Sequence, residues 1–156
     1  MSVVFLPREN LAPWVERLYQ DMAVFAPVPV HGISAFRGLG PGELPDFSRM
    51  PASSAKATVF PQTETLFTYA LRKHPEDLSQ VDVELNPKYA EVPRIILGAR
   101  PCDARGFTLM DPVFCGKVKD PYYMARRERT VVAALACEKP DRACFCPGAG
   151  GGPYDT

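Results

Sequence analysis

The sequence predicts an α/β fold with a mostly parallel central sheet and helices packed on it. Three observations carry that expectation. RIILGA (94–99) and TVVAALA (130–136) are short apolar runs of the kind that form buried strands. About 30 residues of helix-like chain separate them, which makes 94–136 a βαβ unit with parallel strands. Ahead of it stand a periodic helix and an extended, loop-rich N-terminal part.

The elements follow in order. Leu11, Trp14, Val15, Leu18 and Met22 recur at helical spacing, so 11–21 reads as a helix with one buried face. Asn10 is the expected N-cap, and Pro13 sits in the first turn, where its missing N–H does no harm. AVFAPVPVHGISAF (23–36) alternates and is rich in β-branched residues. Pro27 and Pro29 assign it to an edge strand or extended chain rather than a central strand. Residues 38–55 (GLGPGELPDFSRMPASSA) have no period and read as a loop. Leu66, Phe67, Ala70 and Leu71 after Thr63 or Thr65 predict a helix to about Lys73, stopped by Pro75. VDVEL (81–85) alternates as a half-exposed strand. DARGFTLMDPVF (103–114) reads as a helix capped by Asp103, and PYYMARRERT (121–130) as one capped by Asp120 with Pro121 at its first position. The end, 147–156, is a Gly-rich tail expected to be flexible. The whole of 1–156 is expected to form one α/β domain, the N-terminal part of a longer architecture.

Composition narrows the function. Of 156 residues, 46% are hydrophobic and 23% charged, which excludes wholesale disorder. Eighteen basic residues balance eighteen acidic ones, which argues against a general nucleic-acid binder. No apolar run approaches the roughly 20 residues of a membrane helix. The N-terminal MSVVFLPRENL lacks a basic n-region and a long apolar stretch, so a cytoplasmic location is expected. In that setting five cysteines point to metal or redox chemistry rather than disulfides.

The cysteines acquire meaning from topology. Cys102 follows the strand at 94–99 and Cys137 follows the strand at 130–136. Parallel strands bring their carboxyl ends to one sheet edge, where α/β folds place ligands. Cys144 and Cys146 then come as C-F-C in a turn-rich loop, completing C-x34-C-x6-C-x-C. Four thiolates suit a tetrahedral zinc or a [4Fe–4S] cluster. Gly148 and the glycines after it would let backbone amides approach sulfur. The competing readings make these cysteines small buried hydrophobes and a stray loop thiol, in a subunit-docking domain without redox activity, or the ligands of a structural zinc. Cys115, at a helix end, is left out of the ligand set as a packed or partly exposed thiol.

Other residues are less specific. Arg100 and Arg105 flank Cys102 and would lower its pKa, or else simply meet solvent. A flavin (FAD) or nucleotide site would use the same crevice, with Arg100 and the Gly-rich loop facing phosphate. GLGPG (38–42) lacks the lysine and following helix of a phosphate loop. Arg126, Arg127 and Arg129 make a basic helix end of the kind that complements the helix dipole. His31 and His74 lie far apart in sequence, so a Cys–His catalytic pair is not expected.

Four segments together resemble a known family: SSAKATVFPQTETLF (53–67), IILGARPCDARGFTLMD (95–111), DPYYMARRERTVVAALAC (120–137) and CFC (144–146). The family is that of the iron–sulfur electron-transfer subunits of cytosolic sulfhydrogenases (the hydrogenase beta subunit) and of anaerobic sulfite reductase. The resemblance covers roughly residues 53–153. It implies an anaerobic electron-transfer role beside two other subunits, one binding flavin and NAD(P)H and one catalytic. It marks Cys102, Cys137, Cys144 and Cys146 as recurrent cysteines. Their joint ligation of one [4Fe–4S] cluster follows from spacing and topology. The family's ferredoxin-type C-x2-C-x2-C-x3-C-P run is absent from this sequence. The chain is expected to be either a fragment of a longer product or a short relative.

Overall fold

The computed structural model describes residues 5–77 and 79–154. Helix α1 (Leu11–Asp21) lies where its period predicts. Its start is different: a 3-10 turn, Arg8–Asn10, leads into it, and Asn10 is itself helical with no side-chain cap. Val15 is buried, with Leu11, Trp14, Leu18, Tyr19 and Met22 packed around the same cluster.

Strands β1 (Ala23–Val30) and β2 (Ile33–Gly38) form a tight antiparallel hairpin, ending at the Val30–Ile33 pair. His31 and Gly32 turn it with φ of 47° and 86°, the left-handed pair that two-residue hairpins require. The edge-strand expectation holds for 33–36, since β2 is at the sheet edge, and fails for 23–30. β1 is interior, in a four-stranded sheet ordered β2-β1-β5-β6. The prolines are tolerated because the parallel ladder to β5 (Arg94–Ala99) spans only Ala23 to Phe25. Beyond it, the Asp46 N–H donates to the Pro27 carbonyl at 2.8 Å, so Pro27, which has no N–H to pair, turns its carbonyl away from β2.

The expected helix at 63–73 is instead strand β3 (Phe67–Lys73). It pairs antiparallel with β4 (Val81–Pro87) over seven register pairs. Its apolar residues fit helical spacing and also alternation at Phe67, Tyr69 and Leu71. Cross-strand pairing with VDVEL decides for the strand. Asp77 organises the connecting turn, its carboxylate accepting from the Ser79 amide and hydroxyl and from Gln80. At the base the Leu66 carbonyl accepts from Lys88 N–H and Tyr122 Oη, and the Tyr89 and Tyr122 rings lie 5.1 Å apart.

β5 is followed by α2 (Pro101–Phe114), α3 (Pro121–Arg127) and β6 (Thr130–Ala134). β6 pairs parallel with β5, so the βαβ unit forms as predicted. α2 begins two residues early, capped by the backbone of Arg100. Asp103 is therefore inside the first turn and is not the cap. The α3 cap does hold: Asp120 Oδ1 accepts from the amides of Tyr122 and Tyr123 at 2.9 and 3.0 Å. α3 is shorter than its pattern, because the chain turns at Glu128 to enter β6.

Helices cover both sheet faces, and β5 shows why it reads as a continuous apolar run. Ile95 and Leu97 join the cluster under α1, while Ile96 joins Phe107 and Tyr123 on the opposite side. Arg126 is buried, ion-paired with Glu64 and bonded to the Val59 carbonyl, so it ties the 55–64 stretch to α3. Asp111 takes a two-point contact from Arg127 (3.0 and 3.1 Å) and a hydrogen bond from Tyr123 Oη, fastening α2 to α3. No helix among the described residues is long and apolar enough to cross a membrane.

Candidate functional site

Because β5 and β6 run in parallel, both deliver their chains to one edge. β5 reaches it through a bulge: register shifts between Leu97 and Ala99, and Gly98 has φ +75°. The Phe47 ring, from the 38–55 loop, lies over Gly98 where a side chain would stand. Arg100 then leaves the sheet in extended conformation, and Pro101 starts α2 with Cys102 in its first turn. Across the edge β6 continues from Leu135, whose amide donates to the Ala99 carbonyl at 2.8 Å. Cys137 follows, its N–H bonded to the Pro153 carbonyl. The end of the chain is thus tied back onto the sheet edge. A 3-10 turn, Cys146–Ala149, also orders part of the segment read as a flexible tail.

These elements enclose a cleft of about 710 Å³, and Cys102, Cys137, Cys144 and Cys146 all line it. Cys115 lies elsewhere. It is half-buried, in an isolated bridge with Lys119 and packed beside the α2–α3 core. The structure therefore brings together the four cysteines that sequence and topology single out. It does not bring them into a closed ligand shell. Among the described residues, no three His, Cys, Asp or Glu side chains are gathered as a metal ion needs.

The thiols differ in their surroundings. Desolvation pushes the Cys102 thiol up, the Asp103 charge and Cys146 add to that, and nearby backbone amides offset part of it. This reverses the expectation that Arg100 and Arg105 lower its pKa. The Arg100 guanidinium is turned to the Ala136 carbonyl (Nη1 to O, 3.2 Å), with Nε buried and unbonded. Arg105 lies beside Gly150. The sulfur of Cys144 accepts the Asp141 N–H at 3.0 Å, a backbone donor already in place. The Cys137 thiol faces the Lys139 carbonyl at 3.8 Å. The amides expected to serve sulfur are used locally: Gly148 donates to Phe145, Gly150 to Pro147 and Gly151 to Cys146.

One wall of the cleft escapes sequence reasoning. Ser53, Ser54 and Lys56 come from the 38–55 loop and the 3-10 turn Ala55–Thr58, capped by the Ser54 hydroxyl. Ser54 Oγ donates to Asp103 Oδ1 at 3.1 Å, and Lys56 Nζ stands 3.9 Å from the same oxygen. The signals for it are the Ser–Ser–Ala–Lys capping pattern, which has no period, and its place in the segment 53–67 that carries the family resemblance.

The donor set fits a soft metal or an iron–sulfur cluster. It offers four sulfurs, one with a backbone N–H already directed at it, beside Lys56 and Arg100 as balancing charge. Completing a shell requires segment 137–146 to draw in toward Cys102. Apart from Cys137 to Pro153, the backbone bonds of that segment are local, as in Cys144 to Asp141.

No family model and no solved structure matches the chain. A stretch of 56 residues is 34% identical to the beta subunit of sulfhydrogenase 2 from Pyrococcus furiosus. That stretch is 36% of this chain and 16% of the hydrogenase subunit. The chain therefore contains a region similar to a hydrogenase beta subunit, and the match spans about a sixth of that subunit's length.

Proposed function

We propose that this chain is an electron-transfer module of a hydrogenase-type complex, with one [4Fe–4S] cluster bound at the carboxyl edge of β5 and β6. Cys102, Cys137, Cys144 and Cys146 are the ligands in this reading. The observation that carries it is the gathering of these four cysteines, and not Cys115, around one cleft. The likeness to a sulfhydrogenase beta subunit supports the redox assignment. Chain 1–156 acts as one α/β unit within a larger assembly. Its partners are two other subunits, one binding flavin and NAD(P)H and one catalytic.

The residues divide the work. α2 presents Cys102 from a rigid first turn, and β6 leads directly to Cys137. The turn at 141–146 presents Cys144 and Cys146 together, its Asp141 N–H giving a hydrogen bond to one sulfur. Bound there, an iron–sulfur cluster supplies one-electron storage and release. Ligation requires deprotonated thiols, so the raised pKa of Cys102 makes loading easier as pH rises. Lys56 and Arg100 offset the negative charge that four thiolates bring. The loop wall at Ser53–Lys56 and the tie from Cys137 to Pro153 bound the cleft on two sides.

Anaerobic purification, with iron, zinc and acid-labile sulfide counted per chain, tests the proposal. About four iron and four sulfide, with a visible band that bleaches under dithionite, is the expected result. About one zinc and no colour would replace it with a structural zinc module. No metal would overturn both.

A further inference from the structure

The β3–β4 ribbon sorts its residues by face, apart from Lys73 at the end of the apolar face and Ala70 on the polar one. One face pairs Tyr69 with Leu85 and Leu71 with Val83, with Phe67 and Val81 at its ends. The other carries Thr68, Arg72, Asp82 and Glu84, with Arg72 and Glu84 ion-paired at 3.3 Å. The second face suits water. The first does not: its six large apolar side chains remain between 49% and 64% exposed. A two-stranded ribbon open on both faces is marginal by itself, and an apolar patch of this size marks an association surface.

We propose that this face docks against the same face of a second copy of the chain, as an antiparallel two-fold pair of ribbons. Two features favour a second copy as occupant. Six side chains of this size and exposure present roughly 600 Å² per copy, so a stacked pair buries about 1,200 Å², the lower bound of a specific interface. The face can also pair with itself without setting like charges against each other. Its one ionised residue is Lys73, at the tip, paired with Val81. A two-fold axis through the middle of the ribbon sets the two Lys73 at opposite ends. Each then lies over the partner's Phe67, as a cation over an aromatic ring. Parallel stacking would put the two lysines side by side. The docking leaves the cysteine cleft, built on β5, β6 and α2, outside the interface.

Sedimentation of the full chain between about 1 and 200 µM tests this. The wild type is expected to shift from monomer to dimer across that range. Tyr69→Lys with Leu85→Glu charges the face and keeps a favourable cross-strand pair, so the ribbon is retained and the dimer lost. Thr68→Glu, on the polar face, leaves the dimer intact. Hydrogen exchange of the wild type adds a readout that needs no variant: amides of 67–73 and 81–86 gain protection with concentration. A wild type that stays monomeric throughout overturns the proposal. So does a dimer that survives the double substitution, or one that forms without added protection in the ribbon.

Discussion

Gly98→Ala is the sharpest probe of how the sheet delivers its chain to the cysteine edge. Two separable penalties meet at this position. The backbone has φ +75°, where an L-residue is disfavoured by about 1–2 kcal/mol. The added methyl would also overlap Phe47 Cε1 and stand 2.7 Å from its Cδ1, too close without movement. Phe47 is partly buried against the α1-side core, so its ring gives way only by disturbing that packing, at about 1–3 kcal/mol. The expected loss is about 2–5 kcal/mol. Urea unfolding reads it as a lower midpoint at unchanged slope. Phe47→Ala separates the parts. Combined with Gly98→Ala it removes the overlap, so the double variant should be less destabilised than the sum of the singles by about 1–2 kcal/mol. A single-variant loss below about 0.5 kcal/mol, or additive behaviour in the cycle, refutes the bulge argument.

Three further outcomes are expected. Cys137→Ser or Cys144→Ser removes iron from an anaerobic preparation while Cys115→Ser keeps it; the reverse pattern would break the ligand assignment. Asp120→Ala loses both cap bonds of α3 and lowers stability by about 1–2 kcal/mol in denaturant titration, where no change would show the cap to be idle. Glu43 is held at a pKa of about 2, first by the Arg37 side chain and then by the Gly40 amide. Its folded pKa is depressed, so its stabilising effect is present above the ordinary carboxylate range and is lost as pH falls through that range toward 2. Carboxyl NMR titration should give that midpoint, and Arg37→Gln should raise it; an unmoved midpoint would remove Arg37 as the cause.

Where local signals agreed with tertiary packing, the sequence was readable residue by residue. β5 and α1 have the bounds their patterns dictate, and Asp120 caps α3 as its position implies. The errors share a cause: a partner strand that local pattern cannot reveal. Tyr69 and Leu71 satisfy both periods until Leu85 and Val83 stand opposite them. Pro27 excludes an interior strand only if the ladder to β5 extends that far, and it stops at Phe25. His31–Gly32 was a two-residue turn hidden inside an alternating run. At the site, parallel topology accounts for Cys102 and Cys137 at one edge, and the loop after β6 brings Cys144 and Cys146 to the same cleft. The Ser53–Lys56 wall was not legible, because loops carry no period. Of the two readings of Arg100 and Arg105, the one in which they lower the Cys102 pKa fails, because desolvation dominates there and Arg100 turns to the Ala136 carbonyl.

The ribbon also bears on how fast the sheet assembles. β1 and β5 are neighbours in space, yet roughly 55 residues separate the end of β2 from β5, and closing such a loop costs about 3.5 kcal/mol of chain entropy. β3 and β4 are joined by a short turn and can zip early. Once zipped, they short-circuit about 20 residues of the loop, lowering the closure cost by about 0.4 kcal/mol. Sheet closure is then about twofold faster with the ribbon formed. Stopped-flow refolding of a chain with Leu71 and Val83 both replaced by glycine should slow by that factor, and an unchanged rate would place ribbon formation after closure.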